Sequence, residues 1–127
     1  MNDLRIDIPG GRVSFQPLEE VAGTIAWALE EPPRSLELRL LWMTRGRGIV
    51  DSEVVQSMCL ETPPAAGDRP FRFRLPDWPY SLAGKLVTVQ WALQLLAASP
   101  PQQAQVNLIV SPTQRQIELG LPNGGKA

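Results

Sequence analysis

The chain has 127 residues, of which 43% are apolar, and its 12 basic and 13 acidic residues give a net charge of −1. This length predicts one domain, the apolar fraction supports a folded core, and the near-neutral charge disfavours nucleic-acid binding, which needs a basic excess. The sequence contains no histidine, the usual general base and metal ligand, so triad hydrolases and ordinary zinc sites lack a required part.

Proline and glycine divide the chain into short segments in which apolar residues alternate with polar ones. Alternation with a period of two predicts strands, and no segment has a helical period. We therefore predict an all-β fold, a single antiparallel, immunoglobulin-like β-sandwich of about seven strands. The predicted strands cover residues 4–8, 21–29, 36–43, 49–60, 71–75, 86–95 and 106–110, with a proline-rich loop over residues 62–68.

Three tryptophans have the same parity as the aliphatic residues of their strands. Trp27, Trp42 and Trp91 are therefore expected in the core. The sandwich is expected to cover residues 1–112, and residues 113–127 are expected to form a C-terminal edge strand or a flexible tail.

The remaining local features predict a soluble cytoplasmic protein. Cys59 is the single cysteine, so no intrachain disulfide can form, and we expect it to be a small buried hydrophobe. The N-terminus has no signal-peptide pattern, and the apolar stretch from Leu86 to Ala98 is too short and too polar to span a membrane.

Reactive residues do not form a recognisable catalytic pattern. The acidic pairs at 19–20 and 30–31 are sequence neighbours, which point to opposite faces of a strand and do not share an acid-base site. Asp51 and Glu53 share a strand face, but two carboxylates are too few for a calcium or magnesium site. We expect no catalysis, no metal and no cofactor.

Arginine supplies ten of the twelve basic residues, and half of the arginines lie in two groups. Arg45 and Arg47 flank a glycine at a predicted hairpin tip, and Arg69, Arg72 and Arg74 lie on the outer side of one strand. Guanidinium groups bind carboxylate or phosphate through paired hydrogen bonds, which predicts an acidic or phosphorylated segment of a partner protein. In the alternative interpretation, these arginines pair with nearby acids, namely Glu37, Glu53 or Glu61.

Trp78 and Tyr80 lie in a predicted loop rather than in a strand. Aromatic residues in such a loop either close the open end of the sandwich or form a hot spot for protein binding. Of these, we favour closure of the end. A groove containing both rings would instead indicate a carbohydrate- or lipid-binding module.

Four short motifs follow one another in a fixed order. Residues 15–25 read FQPLEEVAGTI, residues 71–76 read FRFRLP, residues 79–81 read PYS and residues 84–91 read GKLVTVQW. This ordered set, within residues 6–112, resembles the arrestin family, in which an aromatic residue and a Pro-Gly-Glu turn precede a strand that begins Val-x-Gly. One departure is that the family's Pro-Gly-Glu turn reads Pro17-Leu18-Glu19 here.

The resemblance implies an arrestin-type sandwich and a non-enzymatic adaptor or scaffold that binds other proteins. Arrestins and the related retromer and sporulation-control proteins join two such sandwiches, whereas this chain is long enough for one. The main alternative is a structural subunit that self-assembles through its edge strands and the outer apolar positions Leu41 and Met43.

Overall fold

The computed structural model describes residues 2–46, 49–84, 87–98, 101–113 and 117–118. Within these residues the chain forms ten strands and one 3-10 turn, and no helix is long and apolar enough to cross a membrane. The strands are β1 (Asp3–Asp7), β2 (Ser14–Phe15), β3 (Glu20–Ala28), β4 (Ser35–Gly46), β5 (Ile49–Glu61), β6 (Ala66–Arg74), β7 (Leu82–Ala83), β8 (Thr88–Ala98), β9 (Gln102–Val110) and β10 (Ile117–Glu118).

The strands form two sheets. The smaller sheet is antiparallel with the order β1-β3-β6. In the larger sheet β4 lies between β5 and β8, and the other side of β8 pairs with β7 near its start and with β9 along residues 91–97. Two short parallel pairs, β2 with β9 and β10 with β7, extend this side.

The core lies between the sheets and is built from the alternating apolar residues of both. Residues at every second position of β3, β4, β6 and β8 are buried there, as the pleat of a strand requires. The fully buried side chains include Val21, Ile25, Leu36, Leu38, Leu40, Leu75, Trp91, Leu93, Leu95, Leu108 and Val110. Trp42 is half-buried and packs against this cluster from one end.

A bulge interrupts the pairing of β4 with β5. Leu40 pairs with Gln56 and Leu41 pairs with Val54, so Val55 is an extra residue on β5. Its side chain packs against the core. Beyond the bulge, Trp42 lies directly opposite Glu53.

Gly23 allows β1 to approach β3 closely. A Cβ atom at this position would collide with the carbonyl oxygen of Asp7 and would lie 3.0 Å from the Phe71 ring. The glycine is therefore required by a close backbone approach.

The turn before β3 has a leucine at its left-handed position. The Glu19 amide donates to the Gln16 carbonyl at 3.2 Å, and Leu18 has a φ of 69°, so the residue after Pro17 occupies the left-handed position of a type II turn. The backbone amide of Gln16 and then the Arg12 guanidinium bond to the Glu19 carboxylate and lower its pKa. These bonds fix the turn at the start of β3.

All seven predicted strands are present, and the structure corrects several details. β6 begins at Ala66, so the end of the predicted loop over residues 62–68 is strand. The short strands β2 and β7 were not predicted, and Ile117–Glu118, in the segment expected to form an edge strand or a flexible tail, forms β10. Cys59 is exposed, not buried, because it pairs with Glu37 on the outward face of the larger sheet.

Candidate functional site

An open groove of about 320 Å³ lies on the outward face of the larger sheet. At this place β4, β8 and β9 run side by side, and the residues that alternate with the buried ones point away from the core. We call it the amide groove. Its described lining consists of Met43, Thr44, Arg45, Thr88, Gln90, Gln105 and Asn107.

Two apolar side chains are buried next to the amide groove. Leu41 and Ala92 are paired across β4 and β8, and Ala92 is paired with Asn107 of β9. Leu41 is only 4% exposed. The expectation that Leu41 contributes an outer apolar surface for self-assembly is therefore wrong, and Met43 is a half-buried part of the groove wall.

The amides of the groove are fixed by hydrogen bonds to the sheet and to one another. Gln90 donates from Nε2 to the carbonyls of Trp91 at 2.9 Å and Leu108 at 3.0 Å, which leaves its Oε1 to accept. A second series runs from Gln94 Nε2 to Gln105 Oε1 at 3.0 Å and from Gln105 Nε2 to Asn107 Oδ1 at 2.8 Å. The series ends at the Asn107 amide nitrogen, which has no acceptor among the described residues.

Arg45 supplies the positive charge of the amide groove. Its side chain is exposed, and within the described residues no carboxylate forms an ion pair with it. Arg47, its predicted companion, lies outside the described residues. Arg45 is therefore the one arginine of the predicted hairpin group whose position the structure gives.

Two members of the second arginine group, Arg72 and Arg74, lie on the outward face of the smaller sheet. Arg72 forms an ion pair with Glu20 at 3.5 Å, and Arg74 donates to the Leu18 carbonyl at 3.0 Å. Arg69 is the cross-strand partner of the buried Ile25 and has the parity of the buried Phe71, so the expectation that it shares the outer side is wrong. It is exposed and donates to the backbone of the preceding residue. Arg45 and the pair Arg72 and Arg74 thus face opposite sides of the sandwich, and the partners of the second group are not Glu37, Glu53 or Glu61.

The loop before β7 closes one end of the sandwich with its small residues. Pro79 and Ser81 are buried, the Trp91 indole donates to the Pro79 carbonyl at 2.8 Å, and the Val110 amide donates to the Ser81 hydroxyl at 2.9 Å. Trp78 and Tyr80, on either side of Pro79, are 68% and 37% exposed. The preferred expectation that these rings close the end is wrong, because they point outward.

The exposed Trp78 ring contacts a second tryptophan. Its centroid lies 6.1 Å from that of Trp42, and the ring planes meet at 74°, an edge-to-face arrangement. Sequence patterns placed Trp42 in the core and Trp78 in a loop, and they carried no signal that the two rings meet.

The amides of the groove were also missed, because alternating glutamines on an outer strand face resemble ordinary solvated positions.

The amide groove is suited to recognition by hydrogen bonding and charge. It offers a guanidinium, an amide N–H donor and an amide oxygen acceptor, all carried by strands rather than by loops. Within the part of the chain that the structure describes, no three His, Cys, Asp or Glu side chains come together to hold a metal ion.

Comparison with known proteins shows the fold. No family model matches the sequence, and no curated protein matches it. Among solved structures, the sporulation control protein Spo0M from Bacillus subtilis matches with a TM-score of 0.60 and 17% identity over 87% of this chain. The match covers 48% of Spo0M, so this chain spans about half the length of that protein. The likeness confirms the predicted arrestin-type all-β sandwich.

Proposed function

We propose that the protein is a non-enzymatic, cytoplasmic adaptor or scaffold that binds another protein through an acidic or phosphorylated segment. The observation that carries this proposal is Arg45 in the amide groove, exposed and not paired with any described carboxylate. A guanidinium in this state is available to form charge-assisted hydrogen bonds with a carboxylate or phosphate of a partner.

The neighbouring amides support binding to a polypeptide. Asn107 presents a donor and Gln90 presents an acceptor, which together match the carbonyl and N–H groups of a peptide backbone. Because both amides are already fixed by hydrogen bonds to the sheet and to neighbouring side chains, binding costs little side-chain entropy. A volume of about 320 Å³ accommodates a few residues of an extended segment.

The same lining disfavours catalysis. The described residues of the groove are methionine, threonine, arginine, glutamine and asparagine, and this lining contains no cysteine or carboxylate that could act as a nucleophile. The threonine hydroxyls have no histidine, lysine or carboxylate beside them in this lining to act as a general base. The arrangement therefore favours a binding module over an enzyme.

The proposal is tested by fluorescence anisotropy with a labelled hexaglutamate peptide, a phosphoserine peptide and a hexaglutamine control. We expect the acidic peptides to bind the wild-type protein and Arg45→Gln to weaken them by about 10- to 100-fold, the range for a lost charge-assisted hydrogen bond. Arg5→Gln on the smaller sheet removes the same charge from another exposed site and is expected to change little. Equal binding by Arg45→Gln, or equal binding of hexaglutamine, would refute acidic recognition at this groove.

Self-assembly remains the second candidate because of β5. This strand has 13 residues and pairs only with β4 among the described strands, so one of its edges presents backbone groups that a second chain could pair with. Analytical ultracentrifugation at micromolar concentration separates the two functions. A stable multimer that is dissociated by Val54→Pro favours self-assembly, whereas a monomer excludes it at that concentration.

A carbohydrate- or lipid-binding role has one supporting observation, the exposure of Trp78 and Tyr80. Neither ring contributes to the described lining of the amide groove. This role therefore ranks below protein binding.

A further inference from the structure

We propose that Trp42, Trp78 and Glu53 form a docking site for an arginine side chain of a partner protein. We call these three residues the aromatic corner. The proposal concerns a surface other than the amide groove and a ligand of opposite charge, so it stands independently of the proposed function.

Trp78 is exposed, but its loop is anchored. Pro79 next to it is buried, and its carbonyl accepts the hydrogen bond from the fully buried Trp91 indole. Ser81 exchanges two hydrogen bonds with Val110, at 2.7 and 2.9 Å. A large ring held in water by a fixed backbone has already lost much of the entropy that binding would cost, which is typical of an interface anchor.

Trp42 gives this ring a fixed neighbour. The centroid distance of 6.1 Å and the interplanar angle of 74° make the two indoles adjacent walls of an open corner. Indole faces carry the negative end of the ring quadrupole and attract a cation placed within about 6 Å of the centroid. Of the aromatic rings, tryptophan gives the strongest such attraction.

Three carboxylates lie on the strand that pairs with Trp42 and in the loop of Trp78. Glu53 is the cross-strand neighbour of Trp42, so their side chains project from the same face of the sheet. Asp51 lies two residues along the same strand, and Asp77 directly precedes Trp78. All three are exposed, and none forms an ion pair with a described basic residue.

The negative charge of these carboxylates distinguishes between possible ligands of the aromatic corner. An acidic segment or an anionic membrane surface would be repelled by these carboxylates, whereas a cation gains from both the rings and the acids. Arginine fits better than lysine, because its planar guanidinium stacks on an indole and bonds a carboxylate with two parallel N–H groups. The corner therefore selects a basic partner segment.

The experiment follows the four tryptophan indole N–H signals by NMR during titration with an acetylated, amidated (Gly-Arg)3 peptide. The matched control peptide carries citrulline, which has the shape of arginine without its charge. We expect the arginine peptide to shift the signals of Trp78 and Trp42 and to leave those of Trp27 and Trp91, whose indoles donate to Pro64 and Pro79, in place. The citrulline peptide should bind weakly or not at all.

Substitutions in the aromatic corner test which residues contribute to the affinity for the arginine peptide. We expect Trp78→Ala to weaken binding of the arginine peptide by about 3- to 30-fold and Glu53→Gln by about 2- to 5-fold, in line with cation–π and exposed ion-pair strengths. Glu61→Gln, on the same strand as Glu53, is the charge control and should leave affinity unchanged. Circular dichroism checks that Trp78→Ala is folded, and Glu53→Gln gives a second variant outside the loop.

Three outcomes would overturn the proposal: equal binding of the citrulline peptide, unchanged affinity of both variants, or preferential shifts of the Trp78 signal by the acidic peptide. Loss of acidic-peptide binding in Arg45→Gln with the Trp78 response intact separates this site from the amide groove.

Discussion

Replacement of Ser81 by alanine tests how the loop that carries Trp78 is held. The Ser81 hydroxyl accepts the Val110 N–H at 2.9 Å, and the two residues are 1% and 0% exposed. The neighbouring amides of Ile109 and Ser111 donate to the carbonyls of Val13 and Phe15. The amide between them, that of Val110, therefore points towards the loop of Ser81. Without the hydroxyl, the N–H of the fully buried Val110 loses its acceptor.

The expected cost follows from that single group. An unsatisfied buried N–H costs about 1–3 kcal/mol, so Ser81→Ala should lower the free energy of unfolding by this amount. At about 4 °C per kcal/mol for a domain of this size, the melting temperature should fall by about 4–12 °C. Thermal unfolding followed by circular dichroism measures the shift, and amide hydrogen exchange at Val110 should become faster.

Ser57→Ala is the matched control, because Ser57 is exposed on β5. An exposed serine away from turns and caps is expected to change stability by less than about 0.5 kcal/mol. If Ser81→Ala behaves like Ser57→Ala, the hydroxyl does not anchor the loop, and the rigidity assigned to Trp78 would have to come from Pro79 and Trp91 alone.

Three further perturbations test the start of the chain. Leu18→Gly should be more stable than Leu18→Ala by about 1 kcal/mol in denaturant unfolding, because the φ of 69° strains any residue with a Cβ; equal stabilities would contradict the strain. Gly23→Ala should lower the free energy of unfolding by about 1–3 kcal/mol because its Cβ meets the Asp7 carbonyl. A decrease below about 0.5 kcal/mol would show that β1 moves away at little cost and would contradict this reasoning. The pKa of Glu19 is lowered in the folded state, so the ionised carboxylate contributes to the free energy of unfolding above the usual pKa of 4.5. This contribution is lost as the pH falls from 4.5 through the folded pKa. The stability advantage of wild type over Glu19→Gln should therefore shrink between neutral and acidic pH, and a constant advantage would contradict the role of the Arg12 bond.

Alternation along the chain was sufficient to predict the strands and their buried faces. The inward residues of β3 and β8, such as Ile25, Trp27 and Trp91, have the parity that was predicted for them. The short strands were missed because two residues carry no periodic signal. Cys59 was assigned to the wrong environment because residue type was used as a guide to burial, and Leu41 because its outward parity was taken to mean exposure. Periodicity does not reveal which outward positions are covered.

The candidate sites were only partly predictable. Arg45 and Trp78 were identified from their positions in a hairpin and a loop, where side chains have fewer neighbours to bury them. Arg45 shares its groove with Asn107 and Gln90, and Trp78 shares its corner with Trp42 and Glu53. These neighbours depend on strand order and register. Neither quantity is encoded in local periodicity, because it results from pairing between distant segments.

The sequence by itself determined an all-β sandwich, the two faces of each long strand and the absence of histidine chemistry. Tertiary structure alone decided that Arg45 faces the side opposite to Arg72 and Arg74, that Pro79 rather than its aromatic neighbours closes the end, and that Trp42 meets Trp78. The physical reason is that side-chain direction within a strand follows from a period of two, which the chain displays locally. Which side chains meet is decided by the register, the bulge at Val55 and the loop anchors, all of which join residues far apart in the chain.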